Sequence, residues 1–169
     1  METLRFTYYP SPVGRLFLAG SDKGLVRLEF ESRVQRLADV RLQESAVALA
    51  PYLSELREYF AGERREFTFA LDLRGTDFQM RCWKALLDIP YGETRTYADL
   101  ARAIGHPNAF RAVGMSNNRN PIAIVVPCHR VIASDGSLCG YGGGLDIKRK
   151  LLTLEQGHLG ACLPLGISA

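Results

Sequence analysis

The 169-residue sequence has no apolar run longer than Ile122 to Val126, far short of the roughly 20 residues that cross a bilayer. Met1-Glu2-Thr3-Leu4-Arg5 leads straight into alternating residues, without the apolar core of an export signal. A cytoplasmic protein with no membrane partner is the expectation. Cysteine is sparse. The four, at 82, 128, 139 and 162, form no Cys-x-x-Cys pair, which argues against a disulfide framework and for a reducing compartment. Together with the three histidines they show no zinc spacing, so no metal site is expected. Acid is missing entirely between Asp99 and Asp135, where Arg102, Arg111, Arg119 and Arg130 stand. Such a stretch attracts a polyanion, but it suits a solvated face equally well. The net charge of +3 falls short of a strongly basic nucleic-acid binder.

What is present fits a folded chain of one large domain or two small ones, with 47% hydrophobic and 23% charged residues. Residues 1–75 carry 11 basic and 11 acidic side chains, and residues 76–169 carry 10 and 7, so the positive excess is all in the second part. Leu4-Phe6-Tyr8, Leu16-Leu18 and Leu25-Val26-Leu28-Phe30 alternate between turn signals and predict an antiparallel meander. Residues 45–61 have helical spacing, stopped by Gly62, and Glu66 to Leu71 alternates like a further strand. A domain junction is read at Leu73-Arg74-Gly75.

Beyond it, Thr76 and Gln79 fit a capping box ahead of a helix that ends before Pro90. Thr96 can cap a helix over 97–104, and Asn108 a helix opening at Ala109. Helix, short turn, helix is the helix-turn-helix pattern, although a plain helix pair reads the same way. Ala109, Ala112, Gly114 and Ser116 are small enough to admit a phosphodiester backbone, with Arg111 the only charge over 109–116.

Asn117 to Pro121 reads as a turn and Ile122 to Val126 as a buried strand ended by Pro127. Cys128-His129-Arg130 follows, a thiol beside two potential cations and suited to thiolate formation. A lone cysteine is also often a buried packing residue, and Cys82, Cys139 and Cys162 fit that description. On a regular strand Cys128 and His129 would face opposite ways, so they cooperate only if the backbone turns or a water bridges them. Asn120 and Glu155 are candidate third groups that spacing alone does not place. Gly140 to Gly144 lacks the context of a dinucleotide fingerprint and reads as a loop that closes on a flat ligand, with Tyr141 as a wall. A helix over 145–155 follows, with Lys148, Arg149 and Lys150 on a solvated edge or at phosphates. These residues leave open a cysteine hydrolase built on Cys128 and His129, and a DNA-binding regulator without chemistry.

Pro127-Cys128-His129-Arg130-Val131 resembles the active-site motif of the O6-alkylguanine-DNA alkyltransferase family. Ile89-Pro90-Tyr91-Gly92, Arg111-Ala112-Val113-Gly114, Asn120-Pro121-Ile122 and Tyr141-Gly142-Gly143-Gly144-Leu145 match the family in order and spacing. The resemblance implies an α+β protein. An N-terminal antiparallel-sheet, ribonuclease-H-like scaffold (1–75) would precede a C-terminal winged-helix-type helix-turn-helix domain (76–169). It implies irreversible transfer of an alkyl group from O6-alkylguanine, and O4-methylthymine, in flipped-out nucleotides of duplex DNA to Cys128. His129 would activate the thiol, Glu155 orient the histidine, Asn120 hold the turn and Tyr97 protonate the leaving guanine. Arg111 would fill the space of the flipped base, with Ala109, Ala112, Gly114 and Ser116 close to the DNA. Val131, Tyr141, Gly142, Gly143 and Lys148 would form the pocket. Gly142 stands where some members carry Ser, so a side-chain contact to guanine O6 is missing. The zinc site of some members cannot exist here, since residues 1–75 contain no Cys or His. No cofactor is implied, because the alkyl group comes with the DNA. The acting form is a monomer, with cooperation along DNA left open.

Overall fold

The computed structural model describes residues 1–158, so Cys162 and the remainder of the expected second domain lie outside the described residues. The chain divides into two units. The first is Met1–Arg74 with Pro121–Ala123, and the second is Gly75–Asn120 with the chain from Ile124 onward. The class is α+β, as expected.

In the first unit, β1 (Glu2–Ser11), β2 (Gly14–Ser21) and β3 (Gly24–Phe30) form the antiparallel meander that the alternation predicts. Leu4, Phe17, Ala19 and Val26 make one core cluster, extended by the rings of Phe6 and Tyr8. A fourth strand, β4 (Val40–Glu44), pairs parallel with β1 and gives the order β3-β2-β1-β4. The sequence pattern does not predict it: Val40 and Leu42 alternate with Arg41 and Gln43, but the run is short and mostly exposed. Helix α1 (Ala50–Phe60) starts later than expected, residues 46–49 forming a turn ahead of it. It buries Leu53, Leu56 and Tyr59. Gly20 makes room for it: a Cβ there would lie 3.0 Å from the Leu49 side chain. The strand expected over 66–71 is absent. Leu71 makes only an isolated bridge to Leu25, while the Phe67 and Phe69 rings pack on Tyr59 and Tyr52. Pro121–Ala123, expected in the second domain, belongs to this unit because Leu28 donates to the Pro121 carbonyl and accepts from Ala123.

In the second unit, α2 (Asp77–Leu87) begins with the predicted Thr76/Gln79 capping box. A short β5 (Arg95–Thr96) leads into α3 (Tyr97–Ala103), where Thr96 and Asp99 make a second box. Then α4 (Phe110–Asn118) completes the helix-turn-helix. Asn108 does not cap it; the N-cap is Ala109, without a side-chain bond. The helix also takes in Asn117 and Asn118, expected as turn. The Trp83 indole donates to the Ser116 carbonyl at 2.9 Å, fixing α4 on α2. The buried strand predicted at 122–126 is a buried turn instead. Ile124 sits at φ +71°, which no extended ladder accepts. A 3-10 turn (Cys128–Arg130), β6 (Val131–Ile132, parallel to β5) and α5 (Leu145–His158) follow.

Thr96 starts the helix that carries Tyr97, and its hydroxyl accepts from Asp99 N at 3.1 Å. Thr96→Ala is expected to lower stability by about 1 kcal/mol. The check is the urea midpoint, with the slope unchanged.

Candidate active site

The 3-10 turn resolves the difficulty that a strand posed, because Cys128 and His129 no longer alternate across a sheet. Cys128 is 8% exposed and its Sγ accepts from Asn120 Nδ2 at 3.2 Å. The same Nδ2 donates to the Val126 carbonyl at 2.7 Å, so one amide holds both the turn and the sulfur.

Behind the thiol lies a buried charge cluster. His129 Nε2 is 2.7 Å from Glu155 Oε1. Arg130 donates from Nε to Oε2 and from Nη2 to Oε1, each at 2.9 Å, and from Nη1 to the Ile89 carbonyl at 2.7 Å. Burial alone would raise the Glu155 carboxyl, but His129 and Arg130 override it and hold it well below the ordinary value. Burial lowers the His129 value, and Arg130 and Lys148 add to this against the pull of Glu155. The imidazole is therefore neutral, with its proton on Nε2 toward the carboxylate. Its Nδ1 is buried without a hydrogen-bond partner among the described residues, which leaves a basic lone pair available.

A cavity of about 370 Å³ opens onto Cys128, lined by Tyr97, Arg111, Gly114, Tyr141 and Gly142 among others. A larger groove of about 550 Å³, between α2 and α3, is lined by no cysteine or histidine. Tyr97 donates its hydroxyl to the Cys139 carbonyl at 2.9 Å. Burial first, then the thiols of Cys139 and Cys128, push its phenol well up. Burial likewise raises the Tyr141 phenol, helped by Cys128 and Glu155. Lys148 is not on a solvated edge: it is fully buried and donates to the carbonyls of Cys139 at 3.1 Å and Gly140 at 3.4 Å. Its Nζ lies 6.0 Å from the centre of the Tyr97 ring, and burial lowers its pKa. Arg149 pairs with Asp146 instead, on the surface.

The structure thus gathers Cys128, Tyr97, Tyr141, Gly142, Arg111 and Gly114 around one cavity, and sets His129, Glu155 and Asn120 behind it. Val131 is fully buried in β6, and Gly143 is half-buried in the loop before α5. On α4, Ala112 and Arg111 are exposed and Ala109 is half-buried. Ser116 is not on that open face. It is 4% exposed and its carbonyl accepts from the Trp83 indole, because the last turns of α4 pack inward. Sequence reasoning missed two residues. Arg130 was read as a cation beside the thiol, but it clamps Glu155. Asn117, read as turn, lines the cavity from within α4. Only the partner of Arg130, 25 positions away, would have betrayed its role.

Residues 77–157 match the 6-O-methylguanine DNA methyltransferase, DNA binding domain, and residues 4–73 match its ribonuclease-like domain. The chain is 52% identical over 155 residues to a methylated-DNA–protein-cysteine methyltransferase of Mycolicibacterium paratuberculosis, covering 92% of this chain and 94% of that one. It is 51% identical over 152 residues to one of Methanosarcina barkeri, covering 88% and 95%. The structure is similar to that of Mycobacterium tuberculosis OGT in complex with DNA, at a TM-score of 0.83 and 49% identity, covering 92% of this chain and 94% of that one. The site and both units thus define a thiol-bearing two-domain DNA methyltransferase architecture. The chain belongs to the methylated-DNA–protein-cysteine methyltransferase family.

Both His129 and Glu155 hold folded values below their ordinary 6.5 and 4.5. The unfolded chain therefore takes up protons first on acidification, and stability is lost as pH falls. Urea midpoints are expected to decline from below about pH 6.5 and more steeply below about pH 4.5. A flat midpoint between neutral pH and pH 5.5 would mean that folding leaves the His129 value unshifted, and a rising one that the folded protein holds His129 protonated.

Proposed function

We propose that this protein repairs duplex DNA by moving the alkyl group of O6-alkylguanine onto Cys128, as a single-turnover methylated-DNA–protein-cysteine S-methyltransferase. The observation that carries this reading is a thiol at the floor of a base-sized cavity, backed by a neutral histidine whose Nε2 is held by a carboxylate.

The target carbon is out of reach in stacked DNA, so the nucleotide is flipped, at a cost of a few kcal/mol. Arg111 is exposed at the cavity mouth on α4, where it can enter the duplex from the minor groove and replace the lost stacking. Ala109, Ala112 and Gly114 keep that approach close. Tyr141 and the backbone of Val131, Gly142 and Gly143 hold the base. His129 Nδ1 takes the thiol proton through a bridging water, and the Asn120 amide supports the thiolate. The sulfur attacks the alkyl carbon; the S–C bond forms and the C–O6 bond breaks. Guanine leaves as an anion and takes the Tyr97 proton at N3. The imidazolium proton then returns to the phenolate through solvent. A raised phenol keeps its proton until that strong base arrives, and the Lys148 ammonium steadies the phenolate. The net change is thiol and alkyl ether to thioether and guanine. A thioether is not hydrolysed like an acyl enzyme, so each molecule acts once.

The reading includes O4-methylthymine as a second substrate, a monomer as the acting form and the cytoplasm as its location. Cys82, Cys128 and Cys139 are free thiols, which fits a reducing compartment. Among the described residues no helix is long and apolar enough to cross a membrane.

Intact mass after incubation with excess O6-methylguanine duplex is expected to rise by one methyl in place of one hydrogen. The gain maps to the Cys128 peptide and stops at one equivalent. Cys128→Ser abolishes the gain while DNA binding persists. Repeated turnover, or methyl on another cysteine, would sink the assignment. Arg111→Ala is expected to slow repair of duplex DNA on the order of tenfold to a hundredfold, since it removes support for a flip costing a few kcal/mol. Reaction with the free base O6-benzylguanine should change much less. Equal losses on both would remove the finger role.

A further inference from the structure

Asn117, on the last turn of α4, lines the Cys128 cavity with Met115 and Tyr141. The residue is 8% exposed, and neither its amide oxygen nor its amide nitrogen has a hydrogen-bond partner among the described residues. Leaving both ends of a buried amide unmet is costly, and an apolar group of the same shape would be no worse for the folded state. Buried polar groups are nearly always bonded, and an exception on a cavity wall points to a ligand that completes it. Met115 on the same wall is 59% exposed and flexible enough to move aside.

We propose that Asn117 is a specificity-determining contact that reads the 2-amino side of the flipped base. This rests on the repair reading of the cavity. The chemistry selects the edge. A primary amide offers a donor and an acceptor side by side. The O6/N7 edge of an O6-alkylated guanine offers acceptors only. On the other edge, ring N1 of the alkylated base carries no hydrogen and accepts, and the neighbouring 2-amino group donates. Nδ2 donating to N1 and Oδ1 accepting from the amino group satisfy both ends of Asn117, the amide pairing that proteins use on adenine. The second amino hydrogen stays available to a backbone carbonyl, and N3 stays available to Tyr97. An O4-alkylated thymine has no donor on the corresponding edge and would leave Oδ1 unmet, so the same contact favours guanine. A site built to bond a polar group discriminates against an analogue that lacks it.

The test uses the full chain and two duplexes that differ only in carrying O6-methylguanine or O6-methylhypoxanthine, which lacks the 2-amino group. Second-order transfer rates are measured on each. The unsubstituted protein is expected to prefer methylguanine by about tenfold, the size of one buried hydrogen bond lost. Asn117→Leu and Asn117→Ala are expected to narrow that preference severalfold, leaving only the share of the backbone carbonyl, with the Tm of Asn117→Leu not lowered. Each preference is a ratio within one protein, so a reduced folded fraction cancels. Variants that keep the original preference, or an original protein that shows none, overturn the role of Asn117. Transfer from neither duplex by the unsubstituted protein overturns the repair reading itself, and the contact with it.

Discussion

The chemistry of this protein depends on one buried carboxylate. Glu155 reaches from α5 to bond His129 and Arg130 at once, in a place where a lone charge would be prohibitively costly. Arg130 makes the charge tolerable, and its remaining N–H groups extend the grip to the Ile89 carbonyl just past α2. Three separate elements are therefore fixed by bonds to the same two ionic groups. A network of this kind is rigid when its bonds are all made, and the histidine inherits that rigidity. Its orientation and its tautomer follow from the carboxylate.

The thiol is positioned by backbone geometry of a different kind. Ile124 at positive φ bends the chain where an apolar run suggests a strand, and the 3-10 turn then presents Cys128 to the cavity. Asn120 reinforces the turn through a carbonyl and the sulfur together. Strain and stapling coincide at the nucleophile, as they often do where a reactive group must be held against local preference. Helix α4 serves both sides of the arrangement. Val113 and Ser116 lock it inward, while Arg111, Ala112 and Met115 stay exposed.

Local signals in the sequence predict the structure where local physics decides. The β1 to β3 alternation and the Thr76 and Thr96 caps need only neighbouring residues to be satisfied. Signals failed where distant packing decides. β4 offers only Val40 and Leu42 as an apolar signal, because it is an exposed edge held by backbone bonds to β1. Residues 66–71 alternate, yet their aromatics are anchored by Tyr52 and Tyr59. Lys148 sits within a run of three cations that looks solvated, but it is buried under two carbonyls from the loop before α5.

The sequence by itself determined the reactive residue type, the helix-turn-helix and the family, because motif spacing along the chain carries that information. Which groups meet is another matter. The joining of His129 and Arg130 to Glu155, the inward turn of Ser116 and the placing of Asn117 on the cavity wall were decided only by the tertiary structure. Each depends on burial and on partners far away in the chain, and a buried charge or amide finds its energy in those partners rather than in its sequence neighbours.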